Sequence, residues 1–407
     1  MIGAAGCSTA LKQTPASSGS SGASGGTIKI GFVSPETGQL SVFTQSNGYV
    51  LGKVRSALAR QGLTIGGKDY TVEIIAVDSQ SSSARAATVA SQLVQQDSVD
   101  FLIATATPET VIPVSAEAES SGVPCLLTIC PWEQWYYTSS GAANSFTYSY
   151  MYFLGTQEET GLFASAWQTL PGKHVVGGLW PNDVDGAGFQ KYVTAKVKSL
   201  GWEVVPSGAY TDGTTDYASI IATFKSSGVD ILHAVPIPPD FITFWRQAHQ
   251  DGFTPKIASI SKALLFPSAA DALGSLVTNV MSPLWWSPQF PTSSSLDGMS
   301  SAAFGDGYKP GWTQPMGFNY AVFEIAVAAL KASGDPKDAK TVASTLGTLK
   351  GQTITGAYDF ATGPVPHVSQ VPELLAQWRP GTGGYDLVVI NDTLIPAVPD
   401  AGSLQLL

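Results

Sequence analysis

Charge is scarce in this chain. Asp, Glu, Lys and Arg supply only 13% of its 407 residues, and the net charge is −10. So few basic residues argue against nucleic acid as a partner, because phosphates are held by clustered Lys and Arg. Long hydrophobic runs are missing too. No window of 18 or more apolar residues occurs, so no helical membrane span is expected. Three cysteines do not make a disulfide scaffold. Cys125 and Cys130 fall on or beside one expected strand, about 16 Å apart in extended chain, too far for a disulfide. Both are expected as buried free thiols.

Catalytic signatures are equally thin. The four histidines, His174, His233, His249 and His367, are widely separated and show no His-x-x-x-His spacing. Asp183 and Asp185 lack the ligand spacing of a calcium loop. No phosphate-cradling Gly-x-x-x-x-Gly-Lys-Ser/Thr and no Gly-x-Ser-x-Gly elbow occurs. Ser259-Ile260-Ser261-Lys262 matches Ser-x-x-Lys, the spacing of a serine hydrolase with a lysine base, without its companion motifs. A hydrolase using Ser259 and Lys262 therefore stands only as the alternative. No enzyme activity, no cofactor and no metal are expected.

What is present is enough apolar residue, 44%, to build two domains over this length. At the start, Ala4-Ala5-Gly6-Cys7-Ser8 puts a cysteine behind small residues, as lipoprotein processing requires. Cys7 is the expected lipidation site, and a diacylated thiol would anchor a soluble domain to a membrane. The Ser/Gly-rich stretch from Ser17 to Gly26 buries nothing and is expected as a flexible leash.

From Ile28 onward the hydrophobic period alternates between strand and helix. Strands are expected at Ile28–Val33, Tyr70–Val77, Phe101–Ala106 and Pro124–Ile129, with helices between them. After the aromatic stretch Phe146–Phe153 the rhythm repeats, with strands at His174–Leu179, Trp202–Val205, Ile231–Val235 and Ile257–Ile260. Ser275–Pro283 reads as a strand, Phe318–Ser333 and Pro336–Thr348 as helices. Short strands close the chain at Gly351–Phe360, Leu374–Trp378 and Tyr385–Ile390. The fold class is α/β, as two doubly wound lobes, which take ligands at strand C-terminal ends.

Particular residues carry a family resemblance. Ile28–Gly38 resembles the first strand and Pro-x-Thr/Ser-Gly loop of the type I periplasmic binding proteins, in the leucine/isoleucine/valine-binding branch of ABC-transporter receptors. Val99–Ile103, Ser121-Gly122-Val123-Pro124, and Phe244–Ala248 with Asp251-Gly252-Phe253 resemble later elements in the same order. The resemblance implies Rossmann-like lobes joined by a three-strand hinge. Residues 1–27 would be the lipoprotein tail and linker, 28–149 with 282–349 the first lobe, and 150–281 with 350–395 the second. The hinge is expected near Tyr148–Tyr150, Met281–Pro283 and Thr348–Gly351.

It further implies a monomeric extracytoplasmic receptor that closes on a small-molecule solute and delivers it to ABC transporter membrane subunits. A ligand-sensing domain of the same fold is the other reading. The family's carboxylate-binding loop falls on Thr105 and Thr107. The next ligand loop reads Ile129-Cys130-Pro131-Trp132, and further contacts fall on Trp180, Asp185, Ile237, Lys262 and Phe318. Lys262 stands where family members use an acid for the ligand's ammonium. An aromatic, uncharged or anionic solute is therefore expected in place of a branched-chain amino acid. Its walls would come from Trp132, Trp135, Tyr136, Tyr137, Trp180, Trp285 and Trp286.

Overall fold

The computed structural model describes residues 23–398 and 400–407, so Cys7 and most of the expected leash lie outside the described residues. The end of that Ser/Gly stretch is not a leash. β1 runs Ala23–Ser34 and pairs with β3 from Ala23 onward, through an irregularity between Ser24 and Gly26. A Cβ on Gly25 would meet the Tyr70 ring at 2.5 Å, so the bare backbone there leaves the space that ring occupies. Composition alone hides such pairing.

The first series continues with α1 (Asn47–Gln61), β2 (Leu63–Ile65), β3 (Lys68–Asp78), α2 (Ser83–Gln95) and β4 (Phe101–Ala104). It goes on through α3 (Pro108–Ser121), β5 (Cys125–Leu127), α4 (Trp132–Tyr136) and β6 (Ser149–Phe153). Its strands β6, β5, β4, β1 and β3 pair in parallel, with β2 antiparallel at one edge. β4 and β5 are apolar and buried at every residue, as strands covered on both faces must be. α2 buries Ala86, Val89, Ala90 and Leu93, one helical stripe against the sheet.

The second series comprises α5 (Thr156–Trp167), β7 (Val175–Leu179), α6 (Val184–Ser199), β8 (Glu203–Pro206) and α7 (Ala218–Ser226). β9 (Ile231–Ala234), α8 (Pro238–Gln250), β10 (Ile257–Ile260), α9 (Pro267–Leu273) and β11 (Met281–Leu284) complete it. The chain then returns to the first lobe with α10 (Ser301–Asp306), the almost wholly buried α11 (Gln314–Ser333) and α12 (Ala339–Leu346). A hairpin of β12 (Lys350–Thr353) and β13 (Gly356–Asp359) follows, and then β14 (Val368–Gln370), which pairs in parallel with β6. Finally β15 (Leu374–Gly381) and β16 (Gly384–Asn391) extend the second sheet beyond β11. Two α/β lobes result, each a seven-stranded mixed sheet.

Three crossings join the lobes, and their places differ from the expected ones. The first lies after β6, at Leu154 and Gly155, and the second after β11, beyond Leu284. Met281–Pro283, an expected hinge, is bound into the second sheet by β10 and β15. The third crossing lies between β14 and β15, at Val371–Glu373, not at Thr348–Gly351. Residues 350–370 thus attach to the first lobe, where the expected division put them in the second. Their short Gly/Pro-punctuated strands look alike in sequence, and only pairing with β6 decides their lobe.

The lobes are in contact. Phe43, ahead of α1, meets Phe266 of the other lobe edge-on at 5.3 Å between ring centres. Glu133 of α4 accepts hydrogen bonds from the N–H groups of Thr156 (2.8 Å) and Gln157 (2.9 Å), capping α5 across the first crossing. Among the described residues, no helix is long and apolar enough to cross a membrane.

Candidate functional site

The strand C-terminal ends of both sheets face each other, and the loops leaving β4, β5, β6, β7, β9 and β10 meet there. They enclose a cavity of about 20 Å³, room for about one water in this closed arrangement. Its apolar walls are Phe43, Ile129, Pro131, Phe153, Leu154 and Trp285 on one side, and Phe189 and Val235 on the other. Thr107, Glu159, Asp185, Ser261 and Lys262 are its polar residues. A wider, open hollow beside His174 and Trp202 lies at the other end of β7, away from these loops.

The charged corner is built on the start of α6. Asp183 caps that helix by accepting the Gly186 N–H, and Asp185 sits in its first turn. A Cβ on Gly186 would lie 1.9 Å from the Pro181 carbonyl oxygen, so the tight turn needs glycine. Lys262, just past β10, donates to Asp185 Oδ2 at 2.9 Å and to Asp183 Oδ2 at 3.4 Å. Burial disfavours its charge, yet Asp183, Asp185, Glu109 and Asp212 together hold its pKa well above the usual lysine value.

The carboxylates' pKa values rise as well, which for an acid disfavours the charged form. Burial pushes Asp185 up to about 7, against the pull of Lys262. Glu159, on the first turns of α5, is pushed by burial to about 8; the Ser261 hydroxyl opposes this, while Asp185 and Glu133 add to it. Behind it, burial raises Glu373 well above the carboxylate range, with the charge of Glu159 adding. Glu159 Oε1, Asp185 Oδ1, Thr107 Oγ1 and both Glu373 oxygens are buried with no hydrogen-bond partner among the described residues. Such atoms are costly unless something else pairs with them.

The loop after β4 has little left to offer a carboxylate. The Thr107 N–H donates to the Ile129 carbonyl at 2.7 Å, and the Thr105 hydroxyl donates to Asn319 Oδ1 at 2.7 Å. Pro108 occupies the first turn of α3 without an N–H, and Glu109 adds negative charge beside it. Thr107 (φ 66°) and Ile129 (φ 53°) are both β-branched residues in the left-handed region. Strain of this kind is stored where the surrounding structure enforces it, commonly at functional sites.

Of the ten residues expected to touch ligand, Thr107, Ile129, Pro131, Asp185 and Lys262 come together on the cavity. The other five do not. Thr105 is turned to α11. The Trp132 indole donates to Gln370 Oε1 at 3.0 Å and covers Gly155, sealing a crossing rather than walling the cavity. The Trp180 ring lies on Gly178 and donates to His233 Nδ1 at 3.0 Å. Ile237 is buried ahead of α8, and Phe318 stands in a second row behind Phe153, 5.1 Å away. Trp135 and Trp286, also expected as walls, are tied inside the first lobe by Ser115 and by the Ile354 carbonyl.

Sequence reasoning missed Glu159, Phe43, Phe153, Leu154, Phe189 and Val235. Glu159 follows Glu158 at a helix start, where acids ordinarily complement the helix dipole. Nothing local marks it as buried.

The hydrolase alternative fails on geometry. Ser259 lies within β10 and accepts from the Trp167 indole at 2.8 Å, whereas Lys262 faces the cleft between two carboxylates. Ser261 has His233 Nε2 3.5 Å away, but Nδ1 of that ring accepts from Trp180. The ring proton therefore sits on Nε2 and points at Ser261, so His233 cannot take the serine's proton. Burial lowers His233 to about 3, so the ring is neutral.

Known proteins with this arrangement are numerous. A profile described as periplasmic binding protein matches residues 27–375. A leucine-binding protein, LivK, of Thermotoga maritima superposes with a TM-score of 0.74 at 18% identity, covering 89% of this chain and 99% of its own. LivJ of Streptococcus pneumoniae, a branched-chain amino acid transporter substrate-binding protein solved with isoleucine, gives 0.71 at 18%, covering 90% and 99%. An ABC-transporter solute-binding protein of Rhodopseudomonas palustris, solved with 3,4-dihydroxybenzoic acid, gives 0.71 at 16%, covering 92% and 99%. At these identities the likeness is one of fold.

Proposed function

The chain belongs to the periplasmic binding protein family, and from that premise we propose that it is the extracytoplasmic solute receptor of an ABC importer. The observation that carries this reading is the cavity itself, walled by residues of two lobes that three crossings join. A ligand that touches both walls favours the closed state over the open one, and that difference shifts the population. The closed shape is then what the transporter's membrane subunits recognise. Cys7 behind Ala4-Ala5-Gly6 supports lipid anchoring, and we read the receptor as a monomer.

For the solute, the rings of Phe43, Phe153, Phe189 and Trp285 support an aromatic or otherwise apolar body. A branched-chain amino acid is disfavoured, because the Thr107 N–H and the Thr105 hydroxyl are spent inside the protein. The anionic solute expected from Lys262 is disfavoured as well, since Asp183 and Asp185 already take that ammonium. We read Thr107, Ile129, Pro131, Phe153, Glu159, Asp185, Lys262 and Trp285 as the contact set.

Native mass spectrometry of the purified protein, paired with X-ray scattering before and after ligand removal, tests the receptor reading. A co-purified small molecule whose removal expands the particle is expected. A radius indifferent to every bound molecule would sink it. Detergent partitioning from a lipoprotein-competent host tests the anchor, and a wholly cytosolic chain would refute it.

A further inference from the structure

We propose that the solute is a small organic cation with N–H donors and no carboxylate, a primary ammonium or an amidinium, held between Glu159 and Asp185. This deepens the receptor reading and rests on it.

The cavity's polar atoms are unevenly matched. Its ammonium, on Lys262, is already engaged by Asp183 and Asp185. Against it stand Asp185 and Glu159 on the cavity, Asp183 beside it and Glu373 behind. Glu159 is 1% exposed and Asp185 4%, and each keeps one oxygen without a partner. Both unpartnered oxygens call for donors, and the surplus of acid calls for positive charge.

Each class of guest meets this inventory differently. A carboxylate adds a further negative charge to a buried acidic site and finds the Thr107 N–H already bonded to Ile129. A zwitterion brings the same unmatched carboxylate. A neutral amide offers donors but leaves the charge surplus in place. A cation with two or more N–H bonds satisfies both oxygens and balances the charge, in the low dielectric where such pairing is strongest. The raised pKa values of Glu159 and Asp185 describe the same imbalance, since protons take the place a cation would fill. The remaining body of the guest would lie on Phe153 and Trp285, whose rings meet edge-on at 4.9 Å.

An isosteric series tests the class. Calorimetric titration at pH 7.5 with benzylamine, butylamine, benzamidine, benzamide, benzoate and phenylalanine compares charge at nearly fixed shape. At least one cation is expected to bind ten-fold or more tightly than its neutral and anionic counterparts. Glu159→Gln is expected to weaken that cation at least ten-fold while leaving the melting curve cooperative, and Asp185→Asn to act in the same direction. Tighter binding of benzoate, benzamide or phenylalanine overturns the cation while the receptor reading stands, and so does failure of every cation. Absence of both co-purified ligand and ligand-induced compaction instead removes the receptor reading.

Discussion

The backbone N–H of Thr107 donates to the carbonyl oxygen of Ile129 across 2.7 Å, locking two left-handed, β-branched residues against each other at the mouth of α3. The Thr107 hydroxyl meanwhile has no partner among the described residues. Thr107→Ala should therefore leave urea stability within about 1 kcal/mol, because no hydrogen bond is lost. A loss of several kcal/mol would mean that the hydroxyl is engaged within the protein.

The buried acids give a pH dependence of definite sign. Glu159 is raised to about 8 from an ordinary 4.5, by burial first. The folded protein then keeps a proton that the unfolded chain has released, so stability is present at low pH and is lost as pH rises toward 8. His233, lowered to about 3 by burial, acts below its ordinary 6.5, where stability falls as pH falls. Between pH 6.5 and 8 the acids act alone, and Asp185 and Glu324, each near 7, share the direction of Glu159. With those three acids together, ligand-free protein should lose about 3 kcal/mol across that window, and Glu159→Gln should remove about half of that loss. Melting curves at the two pH values provide the check.

Removing the cleft's ammonium should be costly. Lys262→Met leaves Asp183 and Asp185 facing each other without a cation, a loss of about 3 kcal/mol at pH 8. The loss should shrink toward pH 5 as Asp185 takes up a proton. Denaturant midpoints at both pH values decide this, and equal losses would contradict the pairing.

Glu133 ties the lobes at their first crossing. Glu133→Ala removes the acceptor for the Thr156 and Gln157 N–H groups. A cost of about 1–2 kcal/mol is expected, as for a helix N-cap. The scattering radius should also grow, because the lost contact joins α4 of one lobe to α5 of the other. An unchanged radius would show that the crossing is held by other contacts.

The alternation of elements was legible because it rests on local pattern. Phe101–Ala104 is apolar throughout, and α8 carries Pro238 at its start and buried Phe241, Phe244, Trp245 and Ala248 along one face. Pairing across long stretches was not legible. Asp185 and Lys262 lie 77 residues apart, and a lysine replacing an acid reads as a change of ligand charge until its own partners are seen. The lobe of residues 350–370 depends likewise on β14 finding β6. Aromatic side chains misled for a related reason. Trp132 and Trp180 sit on the expected loops, but each turns toward a glycine that accommodates its ring.

Because β14 closes an edge of the first sheet and β15 with β16 an edge of the second, neither sheet is finished until Asn391 has left the ribosome. A nascent chain that stops after Asp359 presents two open sheet edges at once, β6 in one lobe and β11 in the other. Unpaired edges of that kind recruit other strands and aggregate. Synthesis of this protein therefore carries a late interval in which both halves need shielding together, and separate expression of either half would make that interval permanent.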